Sequence, residues 1–84
     1  MTITAAQCRA ARGLLSWTQH DLATEAGVGI VTVNQFETGI SEPRRATLEV
    51  IRRAFGAAGV DFIDENGGGA GVRFRKPGPP TRRK

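Results

Sequence analysis

The 84-residue sequence holds one cysteine, one histidine and only five aromatic side chains. A lone Cys8 excludes an intramolecular disulfide. With His20 the one other soft donor, no Cys/His cluster offers metal ligands, so neither metal nor other cofactor is expected and the chain fits a reducing cytoplasm. Met1 to Gln7 has neither a basic start nor a long apolar run, and no stretch approaches the roughly 20 apolar residues that a membrane span needs. The expectation is therefore a soluble, intracellular protein with no membrane partner. Paired carboxylates and nucleophile-base sets at credible spacing are also missing, which argues against an enzyme. Cys8 reads as a small core residue, and His20 as a side chain on an exposed helix start. Four Phe and one Trp within a hydrophobic fraction of 39% suit a small core of Leu, Val, Ile and Ala. A single domain of this size buries only about 60% of its unfolded surface, so modest stability, or stability assisted by association, is expected.

Acidic residues are absent from positions 72–84, which carry Arg73, Arg75, Lys76, Arg82, Arg83 and Lys84, six of the twelve basic residues. The formal charge of +4 is thus misleading as a signal for nucleic acid. Residues 1–71 hold the other six basic residues against all eight acidic ones, a net −2. The body must therefore recognise phosphate by placing a few groups, not by bulk charge.

The most organised stretch is Thr18 to Gly39, TQHDLATEAGVGIVTVNQFETG. Thr18 can cap a helix, and Asp21 three residues on favours its positive start. Trp17 stands at staple spacing from Leu22. Leu22, Ala23 and Ala26 form an apolar stripe, while His20, Thr24 and Glu25 face elsewhere. Gly27 stops this helix, since a residue past a helix end often needs positive φ. After Val28-Gly29 a second pattern turns Val33 and Phe36 inward and leaves Ile30, Val31, Thr32, Asn34 and Gln35 on its side and outer faces, until Gly39 ends it. Two short helices joined by so tight a turn make a helix-turn-helix.

Gln19 opening the first helix, the Leu22-Ala23 pair, Gly27 in the turn, Val33 as inward anchor and the ending Phe36-Glu37-x-Gly39, followed by the proline-basic run Ser41 to Arg45, resemble the Cro and phage-repressor (XRE) type of DNA-binding domain. The ordered set is specific and covers roughly residues 8–57. The resemblance implies an ion pair between an arginine late in the first helix and the glutamate near the end of the recognition helix, here Arg12 and Glu37, which orients the helices more than it stabilises them. Two departures stand out. Gly29 replaces the usual Ser or Thr cap, and Ile30 and Val31 occupy early positions that are often polar or basic in the family.

Upstream, Thr4 and Gln7 have capping-box spacing for a helix over about Ala5 to Leu14, with Cys8, Ala11 and Leu15 inward, Leu14 able to join them, and Arg9 and Arg12 on a neighbouring face. Downstream, Pro43 discourages helix at Glu42. A fourth helix is expected over Ala46 to about Ala58, with Leu48, Ile51 and Phe55 inward and Arg52 and Arg53 outward. Where a fifth helix is usual in the family, the period changes to two. Val60 to Asp64 and Val72 to Lys76 then form a β-hairpin around Asn66-Gly67-Gly68-Gly69-Ala70-Gly71, with Asp61–Arg75 among the available cross-strand pairs. The glycine run lacks the Lys-Ser or Lys-Thr ending of a phosphate cradle and reads as a turn. Two strands alone are marginal in water. The hairpin either packs on the fourth helix or meets its copy in a second chain, and both together, giving a homodimer, is the preferred expectation. The fold class expected is mostly α: a four-helix repressor-like domain (1–58), a hairpin (59–76) serving as a dimerisation element, and a disordered basic tail (77–84), which is either a non-specific phosphate-binding arm or a solubilising end.

The expected ligand is double-stranded DNA, whose major groove admits a helix and shows a distinct pattern at each base pair. Ile30, Val31, Thr32 and Gln35 are assigned to base edges, with Gln35 the best candidate for adenine, and Asn34 to phosphate or base. Ile30 and Val31 either pack on thymine methyl groups or give one of their number to the core. Thr18 and Gln19 are assigned to the DNA backbone, as are Arg44 and Arg45 on the other side. The function expected is that of a sequence-specific transcriptional regulator, a dimeric repressor. The alternative is an antitoxin-like module that keeps the fold to bind a protein partner, which the apolar Ile30-Val31 pair and the near-neutral body favour slightly.

Overall fold

Side-chain caps fix where the first helices begin. In the computed structural model, which describes residues 3–75, Thr4 and Gln7 exchange capping-box hydrogen bonds at 2.9 and 3.0 Å and open α1 (Ala5–Leu15). Thr18 and Asp21 do the same at 2.9 Å for α2 (Gln19–Ala26). The helix α3 (Ile30–Thr38) starts at Gly29 with no side-chain cap. Both helices of the motif end on a glycine in the left-handed region, Gly27 at φ 73° and Gly39 at φ 81°. Ser16 ends α1 with φ 57°, a conformation that costs a residue with Cβ about 1–2 kcal/mol. Arg44 caps α4 (Arg45–Ala57) by backbone geometry alone. Three ends differ by one residue from expectation: α1 continues to Leu15, and α4 spans Arg45–Ala57, not Ala46–Ala58.

The inward faces meet in one core. Cys8 and Ala11 from α1, Leu22, Ala23 and Ala26 from α2, Val33 and Phe36 from α3, and Leu48, Ile51 and Phe55 from α4 are buried together with Ile3 and Val60. Leu14, able by its spacing to join them, remains 37% exposed. Phe55 is the centre of an aromatic chain. Trp17, which packs on the cluster that contains Leu22, stacks on it at 5.6 Å, and Phe62 meets it edge-on at 5.7 Å.

The hairpin forms where a fifth helix is usual, as β1 (Val60–Ile63) and β2 (Gly71–Phe74), antiparallel. It is shorter than expected and its register is Val60 with Phe74, Asp61 with Arg73, Phe62 with Val72 and Ile63 with Gly71. Asp64 therefore lies outside the ladder. Asp61 faces Arg73, yet its ion pair is with Arg75 on the diagonal, at 3.0 Å and largely exposed. The strand β1 packs on α4, as expected, and β2 packs on α1, which the sequence did not indicate. Gln7 explains the second contact: its side-chain Nε2 donates to Ile63 O at 3.1 Å and Gly71 O at 3.0 Å. The expected strand end at Lys76 and the expected tail at 77–84 lie outside the described residues. Fold class is otherwise as anticipated, four helices followed by a two-stranded hairpin.

Candidate nucleic-acid interface

The geometry of α3 depends on a carboxylate. Glu37, on its inner face, is 3% exposed, and an ionised carboxylate so placed must be paired and hydrogen-bonded. Arg12 supplies a bidentate pair, Nε to Oε2 at 2.8 Å and Nη2 to Oε1 at 2.7 Å. Cys8 Sγ donates to Oε2 at 3.0 Å and Gln19 Nε2 to Oε1 at 3.1 Å. Arg9 adds a bond to the Glu37 backbone carbonyl. Burial pushes the Glu37 carboxyl up, but the bonds from Arg12, Cys8 and Gln19 outweigh it and hold the group below its ordinary value. Burial and then Glu37 push the Cys8 thiol upward, so it keeps the proton that it donates. The bond to Glu37 raises Arg12 as well, so the pair is fully charged at neutral pH. The Arg12–Glu37 pair implied by resemblance is thus present. The roles of Cys8, Arg9 and Gln19 around it had no sequence signal beyond their helical faces.

So anchored, α3 turns Ile30 (45% exposed), Val31 (63%) and Asn34 outward, with Thr32 and Gln35 half-buried at its flanks. Both Ile30 and Val31 stand outside the core, which leaves its completion to Val33 and Phe36. The expected site residues fall into two groups. Thr18, at the start of α2, is exposed, and Gln19 stands beside α3, where its Oε1 accepts from Asn34 Nδ2 at 3.4 Å. Gln35 accepts at Oε1 from Ser41 Oγ at 3.4 Å. Arg44 and Arg45 are exposed at the start of α4, and among the described residues neither makes an ion pair. A charged, uncommitted pair at that point can meet a phosphate, whereas Arg9 and Arg12 are already engaged. The capping box satisfies the N–H groups of Thr18 and Asp21, and among the described residues those of Gln19 and His20 meet no acceptor.

Among the described residues no helix is long and apolar enough to cross a membrane, and no group of three or more His, Cys, Asp or Glu is placed to hold a metal. A search of curated proteins returned no match. A helix-turn-helix family model matches residues 9–62, from the middle of α1 into β1 and well over half of the chain. The buried Arg12–Glu37 pair, the paired glycine stops and this match agree, and the chain belongs to the XRE-type helix-turn-helix family of DNA-binding regulators.

Proposed function

We propose that the protein is a cytoplasmic, dimeric repressor that reads an operator through the major groove with α3. The observation that carries this reading is the way α3 is mounted. Its inner residues Val33 and Phe36 are buried, its last turn is fixed by Glu37, and its outer face, with Ile30, Val31, Thr32, Asn34 and Gln35, is left available to base edges. Thr18 and Gln19 on one side and Arg44 and Arg45 on the other would hold the two flanking phosphate strands. Gln35 is assigned to adenine, and Phe74, 49% exposed at the end of the hairpin, to the contact between protomers.

Selection of bound sites from a randomised DNA pool, followed by titration at several salt concentrations, tests the reading. The expected result is an inverted repeat with half-site centres about one helical turn apart or a multiple of it. Gln35→Ala should then weaken operator binding by about 1–3 kcal/mol and relax one base preference. Binding that selects no sequence and vanishes as salt rises would refute it. A second reading has its own support: Ile30 and Val31 are exposed apolar residues on a body of net −2, which suits an antitoxin-like module with a protein partner. Sharply salt-dependent, sequence-selective DNA binding would count against that as the sole role.

A further inference from the structure

The hydrogen bonds that hold Glu37 do not end there. As an ionised carboxylate it can only accept, so the atom of Gln19 that approaches its Oε1 at 3.1 Å must be the amide nitrogen. This settles the orientation of the Gln19 amide, which distance alone does not do for an isolated amide. With nitrogen toward Glu37, the Gln19 oxygen is turned to α3. There it can only accept, so the Asn34 atom 3.4 Å from it is in turn the nitrogen. A buried charge thereby dictates, through two amides in series, how an exposed side chain of α3 presents its donors and acceptor.

We propose that Asn34 is a specificity-determining residue that reads adenine, and that Gln19 is the positioning residue that orients it. The inference rests on the DNA-reading function proposed above. One Nδ2 hydrogen of Asn34 is committed to Gln19. When the hydrogen given to Gln19 is the one anti to Oδ1, the edge left free carries Oδ1 and the syn hydrogen, an acceptor beside a donor. Adenine shows the complement in the major groove, the N6 amine as donor and N7 as acceptor, and a bidentate amide pair with it discriminates against the other bases. Phosphate oxygens only accept, so they leave Oδ1 of this edge without a partner. The choice that sequence left open for Asn34, phosphate or base, therefore falls to the base. Gln19 keeps its second Nε2 hydrogen for a phosphate, so backbone holding and base reading are coupled in one chain of bonds running from Arg12 through Glu37 and Gln19 to Asn34. Asn34 is exposed, whereas Gln19 is half-buried. The orienting partner is thus the better fixed of the two, as a positioning role requires.

The experiment measures base preference at every step of the selected operator for the full chain and for Asn34→Ala, Gln19→Ala and the double variant, each first shown to melt as a folded protein. Asn34→Ala should lose an adenine preference of about 5- to 150-fold at one step. Gln19→Ala should reduce the preference at that same step by several-fold and leave the profile elsewhere intact, and the double variant should lose no more there than Asn34→Ala alone. If Gln19→Ala instead lowers binding to all sequences equally and adds to Asn34→Ala, Gln19 is a phosphate contact only and the proposal is overturned. A full chain that selects a clear operator whose profile is unmoved by Asn34→Ala likewise overturns it while leaving the regulator standing. A full chain that selects no sequence overturns the DNA-reading function first, and this proposal with it.

Discussion

Glu37 and the hairpin are held to the same helix, α1, by opposite means. Glu37 takes four side-chain donors on its carboxylate, three of them from Cys8 and Arg12 of α1, and a fifth from Arg9 on its carbonyl. Among the described residues the hairpin's polar attachment to α1 is the amide of Gln7 on Ile63 and Gly71, with a largely exposed Asp61–Arg75 pair and an Arg75 bond to Gly56 O at its other end. The first joint fixes α3, the helix proposed to read DNA, through a buried charge. The second fixes an appendage through apolar packing of Val60 and Phe62 and one neutral side chain. Placement of a reading helix tolerates little play, because base-edge bonds fail within fractions of an ångström, and buried charge is a device for orientation more than for stability.

The largest effect should come from breaking the charged joint. Glu37→Ala leaves the Arg12 guanidinium, only 21% exposed, without its partner, and should cost about 3 kcal/mol in urea unfolding, toward the lower end for a broken buried pair. The same joint gives an acid limb. Because the folded-state carboxyl lies below its ordinary value of 4.5, the unfolded chain takes up the proton first. The stabilisation is complete above about that pH and is lost as pH falls through the lower folded value. A series of melts from neutral to acid pH should show this decline in the natural protein and a flatter limb in Glu37→Gln. Equal limbs would mean that other carboxylates carry the acid sensitivity.

Breaking the neutral joint should cost less and act elsewhere. Gln7→Ala removes both bonds to the hairpin and half of the α1 capping box, in a position only 3% exposed, and should cost about 1–2 kcal/mol. Hydrogen exchange distinguishes the two joints: amides of β1 and β2 should lose protection in Gln7→Ala while those of α3 keep theirs. Loss spread evenly over both would show that hairpin and helices open as one unit.

That division also marks what could be read from the chain. Helix starts at Thr4 and Thr18, stops at Gly27 and Gly39, and the inward residues of all four helices were legible because caps and periodicity are local. The pair Arg12–Glu37 was legible only through resemblance, since periodicity says which face a residue occupies and not which distant group it meets. For the same reason the reach of Gln7 across more than fifty residues to Ile63 and Gly71, and that of Gln19 to both Glu37 and Asn34, carried no signal. The hairpin was recognised by its alternation, but its ladder was set too far along the second strand. Gly71 reads as turn by composition, yet it pairs with Ile63 in the ladder.

The smallest effect on stability should fall on the outer end of the hairpin, and it sharpens the comparison because it separates folding from association. Phe74 pairs with the buried Val60 in the ladder, so the two side chains share a face, yet Phe74 is 49% exposed where Val60 is 1%. A half-exposed aromatic ring on a two-stranded sheet adds little to the fold that holds it, and Phe74→Asp should move the unfolding free energy by no more than about 0.5–1 kcal/mol. If the hairpin joins two protomers, as proposed, the same change places a charge in the contact and should convert dimer to monomer in light scattering at equal concentration. Operator affinity should then fall with it, since each half-site is bound alone, while the base preference within a half-site stays the same. A dimer that survives Phe74→Asp would move the contact off this face of the hairpin, and the hairpin would then serve only to close the core over Phe55.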